Sequence, residues 1–338
     1  MISVVIPNYN RKDLLASCLG ALRAQTFRDF EVIVVDNGSA DGSAEMVTAE
    51  FSEARLVRLD DNMGFSKAVN AGIGFSRGEF VALLNNDADA DPSWLGELYN
   101  AACKHPEAGL FASKMLFYDN HAVIDTVSDG FTVAGFGYKI GWGETDAGQY
   151  DAVRHTFGAC AGAAMYRKDM LERIKLDGEY FDEQYFAFGE DIDLNMRAQA
   201  QGYKCVAVPS ARVYHRVRAT AGISSSLPIY LGHRNTLTTV IKNFPPASLV
   251  RHSFSIILFL LLTACWDFVK TRRLTVLKAY ICVLGRFNAI SKKRASLKSV
   301  RSITGKEFEA LLDRNWFGIW LRLGRSSVRV RRMRRGDK

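Results

Sequence analysis

The sequence has six cysteines in 338 residues and no CxxC pair among them. Cys18, Cys103, Cys160, Cys205, Cys265 and Cys282 stand far apart. That scatter excludes a zinc-knuckle or small disulfide framework and fits a reducing compartment. No GxGxxG turn and no P-loop glycine-lysine motif occurs, which disfavours a dinucleotide or P-loop phosphate site. The opening MISVVIPNYN has no basic stretch followed by a long apolar run, so a secretory signal is not expected. Internal repeats and low-complexity linkers are missing too. What is present is a chain that is 48% hydrophobic. It can bury a sizeable core, which excludes disorder, and its length suggests one large domain with an appendage, or two domains.

Charge is unevenly spread. The net +8 conceals twenty Lys and Arg against four acids from Lys270 onward, a net of +16, so residues 1–269 carry −8. The basic tail is the part that an anionic membrane or a nucleic acid would attract.

The first ninety residues alternate short β-branched runs with helical spacing. Strands are expected at 2–6, 31–35, 56–59 and 80–84, with helices at 12–24, 42–52 and 67–76 between them. Such crossovers imply a mostly parallel sheet, and ligands of these sheets bind at the carboxyl ends of the strands. Further on, 130–143 is rich in glycine and aromatics and reads as a mobile loop. Helices are expected at 191–201 and 228–242, with a short strand at 205–208.

Polar residues collect at those strand ends. They are Pro7, Asn8, Tyr9 and Asn10; Asp36, Asn37, Gly38 and Ser39; Asn62 and Gly64, leading to Asn70; and Asn85, Asn86, Asp87 and Asp89. Asn, Asp and Gly also make ordinary turns, but four clusters at one rim point to a ligand. Asp87 and Asp89 follow a buried strand, where two carboxylates call for a hard cation such as Mg2+ or Mn2+ that would also bind phosphate oxygens. Five acids and four aromatics crowd residues 181–194, ahead of a helix. Aromatic surroundings raise a carboxylate's pKa and make it a better base, although an acidic helix start is also favoured by the dipole alone.

VVIPNYN, VVDNGS, NMGFSKAVNAG, LLNNDADADPSWL and FDEQYFAFGEDIDLNMR together resemble the successive signatures of family 2 glycosyltransferases, rhamnosyltransferase-like members in particular. The resemblance covers about residues 1–245. It implies a GT-A fold, α/β with a mostly parallel sheet, followed by a helical, basic, membrane-associating region at 246–338. It further implies an inverting, metal-dependent enzyme that moves one sugar, with rhamnose first among candidates. The donor would be a nucleotide-diphosphate sugar and the acceptor a glycan or polyprenyl-linked molecule. By the same resemblance Asp36 contacts the nucleobase and Asn85-Asn86-Asp87 stands where the family has DxD. Asp87 is then the main metal ligand, with Asp89 and His215 as further ones. Asp191 is the base, beside Glu190, and Arg197 matches the helix that follows. A catalytically inactive sugar-nucleotide-binding or scaffolding protein is the alternative within this fold.

Residues 253–269 are almost wholly apolar between basic flanks. Seventeen residues are at the lower limit for a span, and Asp267 lies among them, so an interfacial helix or buried hairpin fits better. The basic tail would then meet anionic headgroups on the inner face of the cell membrane, a peripheral cytoplasmic location. Its few aromatics are not interleaved with the basic residues, so no nucleic acid is expected. Processive synthases carry several spans and a QxxRW motif, and neither occurs here.

Overall fold

A computed structural model describes residues 1–216, 226–298 and 301–335. Asp337 and Lys338, counted in the basic tail, lie outside the described residues.

The first half alternates as its apolar runs require. It comprises β1 (Ile2–Asn8), α1 (Lys12–Arg23), β2 (Phe30–Asn37), α2 (Ser43–Glu50), β3 (Ala54–Leu59), α3 (Phe65–Phe75) and β4 (Phe80–Leu84). The four strands are parallel in the order β4-β1-β2-β3. Ile2, Val4 and Ile6 face one core layer and Val5 the other, so β1 is buried on both faces. That explains its continuous rather than alternating apolar run.

The chain continues with strands that extend this sheet, a separate two-stranded hairpin, and helices. In chain order these are β5 (Ala88–Ala90), α4 (Trp94–Lys104), β6 (Ala108–Phe117), β7 (Asn120–Thr126), β8 (Asp129–Phe131), β9 (Gly137–Lys139), β10 (Arg154–Thr156), β11 (Ala163–Arg167), α5 (Lys168–Arg173), α6 (Glu190–Ala200) and β12 (Lys204–His215). β11 runs antiparallel between β4 and β6, and β12 is parallel to β6. The full order is β10-β12-β6-β11-β4-β1-β2-β3, with β5 on β12 and β7 on β6.

Two expectations change. Residues 130–143 are not a mobile loop: β8 and β9 pair as a hairpin, and Phe131, Val133, Ala134 and Phe136 are buried. Gly130 permits the pairing, since a Cβ there would lie 2.4 Å from the Tyr138 ring. The strand expected at 205–208 runs on to His215 through an irregularity. Val208 pairs with Ser113 and Arg212 with Lys114, so β12 advances four residues while β6 advances one. The continuation pairs Val213–His215 with β5.

Six helices complete the described chain: α7 (Leu227–Asn243), α8 (Pro246–Thr271), α9 (Thr275–Gly285), α10 (Phe287–Lys298), α11 (Gly305–Ala310) and α12 (Trp316–Arg335). Pro245 and Pro246 separate α7 from α8, as proline ends one helix and starts the next. Val240, Phe244, Ile256, Phe308 and Leu312 share a core cluster with Phe131 and Phe157, so these helices pack onto the sheet half. Among the described residues α8 alone is long and apolar enough to cross a membrane. One face of α8 buries Ile256, Phe259, Thr263 and Asp267. The other exposes Val250 (77%), Phe254 (76%), Ile257 and Leu261, and α9 exposes Leu277, Ile281 and Leu284 (68%). Asp267 is spent inside the protein: it accepts from Thr271 Oγ1 and from Val276 N in the first turn of α9.

Candidate active site

The strand ends meet as the parallel topology requires. Asn86 Nδ2 donates to Asn8 Oδ1 at 2.7 Å, and Asn8 Nδ2 donates to Ser39 Oγ at 3.2 Å. Asn37 donates to Asn62 Oδ1 and to the Gly64 carbonyl, tying the ends of β2 and β3. Asp36 is 5% exposed, and its Oδ1 is buried with no partner. A buried carboxylate oxygen left unpaired is costly unless a ligand satisfies it. Gly38 adopts φ +77, and a Cβ there would lie 2.7 Å from the Asp61 backbone, which is why this turn takes glycine. Pro7 lies opposite Val35, one residue before the end of β1, and Tyr9 is exposed at the rim. Asn70 turns away from the rim: it exchanges hydrogen bonds with the Phe181 backbone and donates to Glu183 Oε1.

Asp87 and His215 come together across β5 and β12. His215 Nε2 lies 3.2 Å from Asp87 Oδ1, and its Nδ1 lies 2.9 Å from Asp125 Oδ2. Lys139 Nζ donates to both Asp125 oxygens at 2.9 Å. Burial alone would lower the His215 pKa, but hydrogen bonds to the two carboxylates outweigh it and bring it to about 9. Burial pushes Asp125 up, but the Lys139 and His215 charges outweigh it and hold its carboxyl well below the usual range. An imidazolium between two carboxylates offsets the same charge that a divalent cation with a neutral imidazole would offset. A carboxylate and an imidazole are an N/O donor set that suits Mn2+ better than Mg2+. Asp89 is engaged elsewhere: both its oxygens accept from the Arg216 guanidinium at 2.9 Å, and Ser17 Oγ donates to it at 2.8 Å.

The acid-rich segment is a strained turn held from outside. Phe186 has φ 65 and ψ −62, and Ala187 N donates to the Tyr185 carbonyl at 2.8 Å, a γ-turn of the rare, strained hand. Phe188 also has positive φ. Such conformations persist only when surroundings over-determine them. Here Asn235 of α7 does so, its Nδ2 donating to the carbonyls of Tyr185, Ala187 and Phe188 at 2.7–3.0 Å. Arg234 donates to the carbonyls of Gln184 and Tyr185. Beneath them Lys242 bridges Asp182 and Asp193, and Lys293 of α10 also reaches Asp182. Gly64 accommodates the turn, because a Cβ there would lie 2.6 Å from the Phe186 ring and carbonyl.

This turn delivers Glu190 and Asp191 to the first turn of α6. Asp191 Oδ2 accepts from Ala161 N at 3.2 Å, and Oδ1 from Ile192 N at 2.8 Å. Burial raises the Asp191 pKa, and those two backbone N–H groups oppose the rise. Glu190 Oε2 is buried without a partner, and burial, then the Asp191 charge, raises its pKa to about 8. Arg197 sits one helical turn after Asp193 and pairs with it at 3.0 Å, a structural bond inside α6. Asp191 opens onto a cleft of about 470 Å³ whose other walls include Asp125, Asp129, Cys160, Trp142, Phe188 and Leu323 of α12. The small residues at 158–164 are there for packing: a Cβ on Gly158 would lie 2.2 Å from Asn195 Nδ2.

Sequence reasoning missed Asp125, Asp129, Lys139 and Asn235. The first three fall in or beside the stretch taken for a loop, and Asn235 is a lone amide within a helix. No motif flagged any of them.

The comparisons fit this geometry. Residues 3–175 match the model of "Glycosyl transferase family 2". The chain belongs to that family. This glycosyltransferase is 30% identical over 228 residues to the O-antigen biosynthesis protein RfbC of Myxococcus xanthus, covering 65% of this chain but 17% of RfbC. It is 29% identical to the amylovoran biosynthesis glycosyltransferase AmsB of Erwinia amylovora, over 64% of this chain and 69% of AmsB. It is 26% identical to the N-acetylglucosaminyl-diphospho-decaprenol L-rhamnosyltransferase of Mycobacterium tuberculosis strain H37Rv, over 70% of this chain and 82% of that protein. The glycosyltransferase thus spans about a sixth of RfbC and most of the length of the other two. Among solved structures, S. aureus TarS 1-349 aligns with TM-score 0.57 and 18% identity, over 88% of this chain and 82% of that one. GalNAc-T7 with UDP, GalNAc and Mn2+ aligns with TM-score 0.57 and 14% identity, over 72% and 48%. The fold is GT-A, as expected.

Proposed function

We propose that this glycosyltransferase moves one sugar, with inversion, from a nucleoside-diphosphate donor to a glycan or polyprenyl-linked acceptor in bacterial surface polysaccharide synthesis. One observation carries the reading. Asp125 lines the cleft that Asp191 faces, and it also hydrogen-bonds His215, whose other ring nitrogen meets Asp87. The donor-side charge centre therefore reaches, through Asp125, the wall of the cleft that the acceptor-side base faces.

In this reading the unpaired Asp36 oxygen accepts from the N3–H of uracil or thymine, and Asn8, Asn86 and Ser39 shape the floor under the donor. Asp87 and His215 would hold a cation, Mn2+ in preference to Mg2+, which would supply positive charge against the departing diphosphate. Asp191 takes the proton of the acceptor hydroxyl as that oxygen attacks the anomeric carbon from the opposite face. With Asp191 acting as a base and no covalent sugar intermediate, the reaction is one displacement, hence inversion. The exposed apolar faces of α8 and α9, next to a basic tail, fit docking on an anionic cytoplasmic membrane surface, where a polyprenyl-linked acceptor resides.

Likeness to a rhamnosyltransferase makes dTDP-rhamnose the first donor to test. Thermal shift across a panel of nucleotide sugars with Mn2+ identifies the donor, since a ligand that binds only the folded state raises its melting temperature. NMR of the product's anomeric centre then decides the stereochemistry. A retained configuration overturns both the mechanism and the role of Asp191.

A further inference from the structure

One group of side chains in the cleft has no duty in the donor-side machinery. Asp129, Cys160 and Asp191 each present a ligating atom within 4.8 Å of the others. Asp129 is 4% exposed, lines the cleft, and has a buried Oδ2 with no hydrogen-bond partner. Its backbone is fixed by bonds in both directions with Gly158, at 2.9 and 3.2 Å, so its carboxyl is presented from a rigid frame. Lys139, the cation on the same wall, has its ammonium on Asp125. Two neighbouring carboxylates, one of them with a buried oxygen that no donor meets, call for a proton or a metal ion. Cys160 decides which ion would fit. A sulfur ligand beside two carboxylates disfavours magnesium and favours a softer ion, and three protein ligands leave the fourth tetrahedral position to water.

We propose that Asp129, Cys160 and Asp191 form a site for a thiophilic divalent cation such as zinc, separate from Asp87 and His215, and that filling it arrests sugar transfer. On binding, the Cys160 thiol proton and the Asp129 carboxyl proton leave to solvent, and the metal ion takes their place. Asp191 is then tied to the ion and cannot accept the acceptor's proton. That arrest rests on Asp191 being the base proposed above, whereas the binding does not.

Metal-free full-length protein is titrated with Co2+ or Cd2+, following sulfur-to-metal charge-transfer absorbance, and zinc is then used to displace the probe. One equivalent is expected to bind. Cys160→Ser abolishes the band, and Asp129→Asn weakens binding at least about tenfold. Cys103→Ser, Cys265→Ser and Asp87→Asn keep it. Cys160→Ala serves should the serine hydroxyl disturb folding. In the transfer assay at saturating Mn2+, Cys160→Ser should need at least about tenfold more zinc than wild type for the same fractional inhibition, each measured against its own rate. No band, or a band that survives in both Cys160 variants, overturns the site. A band with the expected variant pattern but without zinc inhibition overturns the arrest, and with it the assignment of Asp191 as base.

Discussion

At the scale of single residues, environment separates carboxylates that look alike in the sequence. Asp191 accepts from two backbone N–H groups, one on each oxygen, so replacing it by Asn removes the proton acceptor and leaves one of those donors unmet. Asp191→Asn should abolish transfer while donor affinity, read by calorimetry, stays nearly unchanged; turnover within tenfold of wild type would remove it from the role. Asp87 and Asp89 lie two residues apart yet face different partners. Asp87→Ala should weaken Mn2+-dependent binding of the nucleoside diphosphate, because Asp87 meets His215. Asp89→Ala should instead lower stability by about 1–3 kcal/mol, since it strands the Arg216 guanidinium, and denaturant unfolding would separate the two outcomes. Glu190 gives a pH test. Its carboxyl titrates near 4.5 when unfolded and near 8 when folded. The folded state therefore holds the proton more tightly, and the stability this contributes is full below about 4.5 and falls as pH rises through 8. Glu190→Gln should flatten that decline, so its melting temperature should gain on wild type between these pH values. An unchanged slope would mean that Glu190 is not the titrating group.

At the scale of elements, what could be read from the sequence was whatever a local period writes. The first four strands announced themselves by β-branched runs ending in Asn, Asp and Gly, and they fold within a few residues of the expected bounds. The hairpin of β8 and β9 was illegible, because its three-residue strands have no period and its aromatics are covered by helices that begin about a hundred residues later. Strain is equally silent in a sequence. Nothing about Phe186 or Phe188 signals positive φ, and nothing about Asn235 signals that one amide holds three carbonyls of that turn. Asn235→Ala should release the turn. Transfer should fall by on the order of a hundredfold, as for other small misplacements of reacting groups, with donor affinity kept. Hydrogen exchange should rise in residues 183–191, and unchanged exchange there would refute the clamp.

For the whole molecule, the exposed apolar faces of α8 and α9 depart, among the described residues, from an ordinary soluble surface. Full-length protein should co-sediment with vesicles containing anionic lipid and less with neutral ones, and Phe254→Asp with Leu284→Asp should abolish the binding. Sedimentation unaffected by these two changes would place the contact elsewhere. The two halves of the proposed active centre are joined by β12, and that join depends on counting. A strand turns successive side chains to opposite faces, so what matters about the arch between Val208 and Arg212 is whether its residue number is odd or even. Deleting a single residue there would keep the strand and invert its parity. Arg216 would then stand in the place of His215, and the imidazole, moved back one residue, would face away from Asp87 and Asp125. Loss of one uncharged residue from this arch would thus separate Asp87 from Asp125 while leaving every charge of the chain in place.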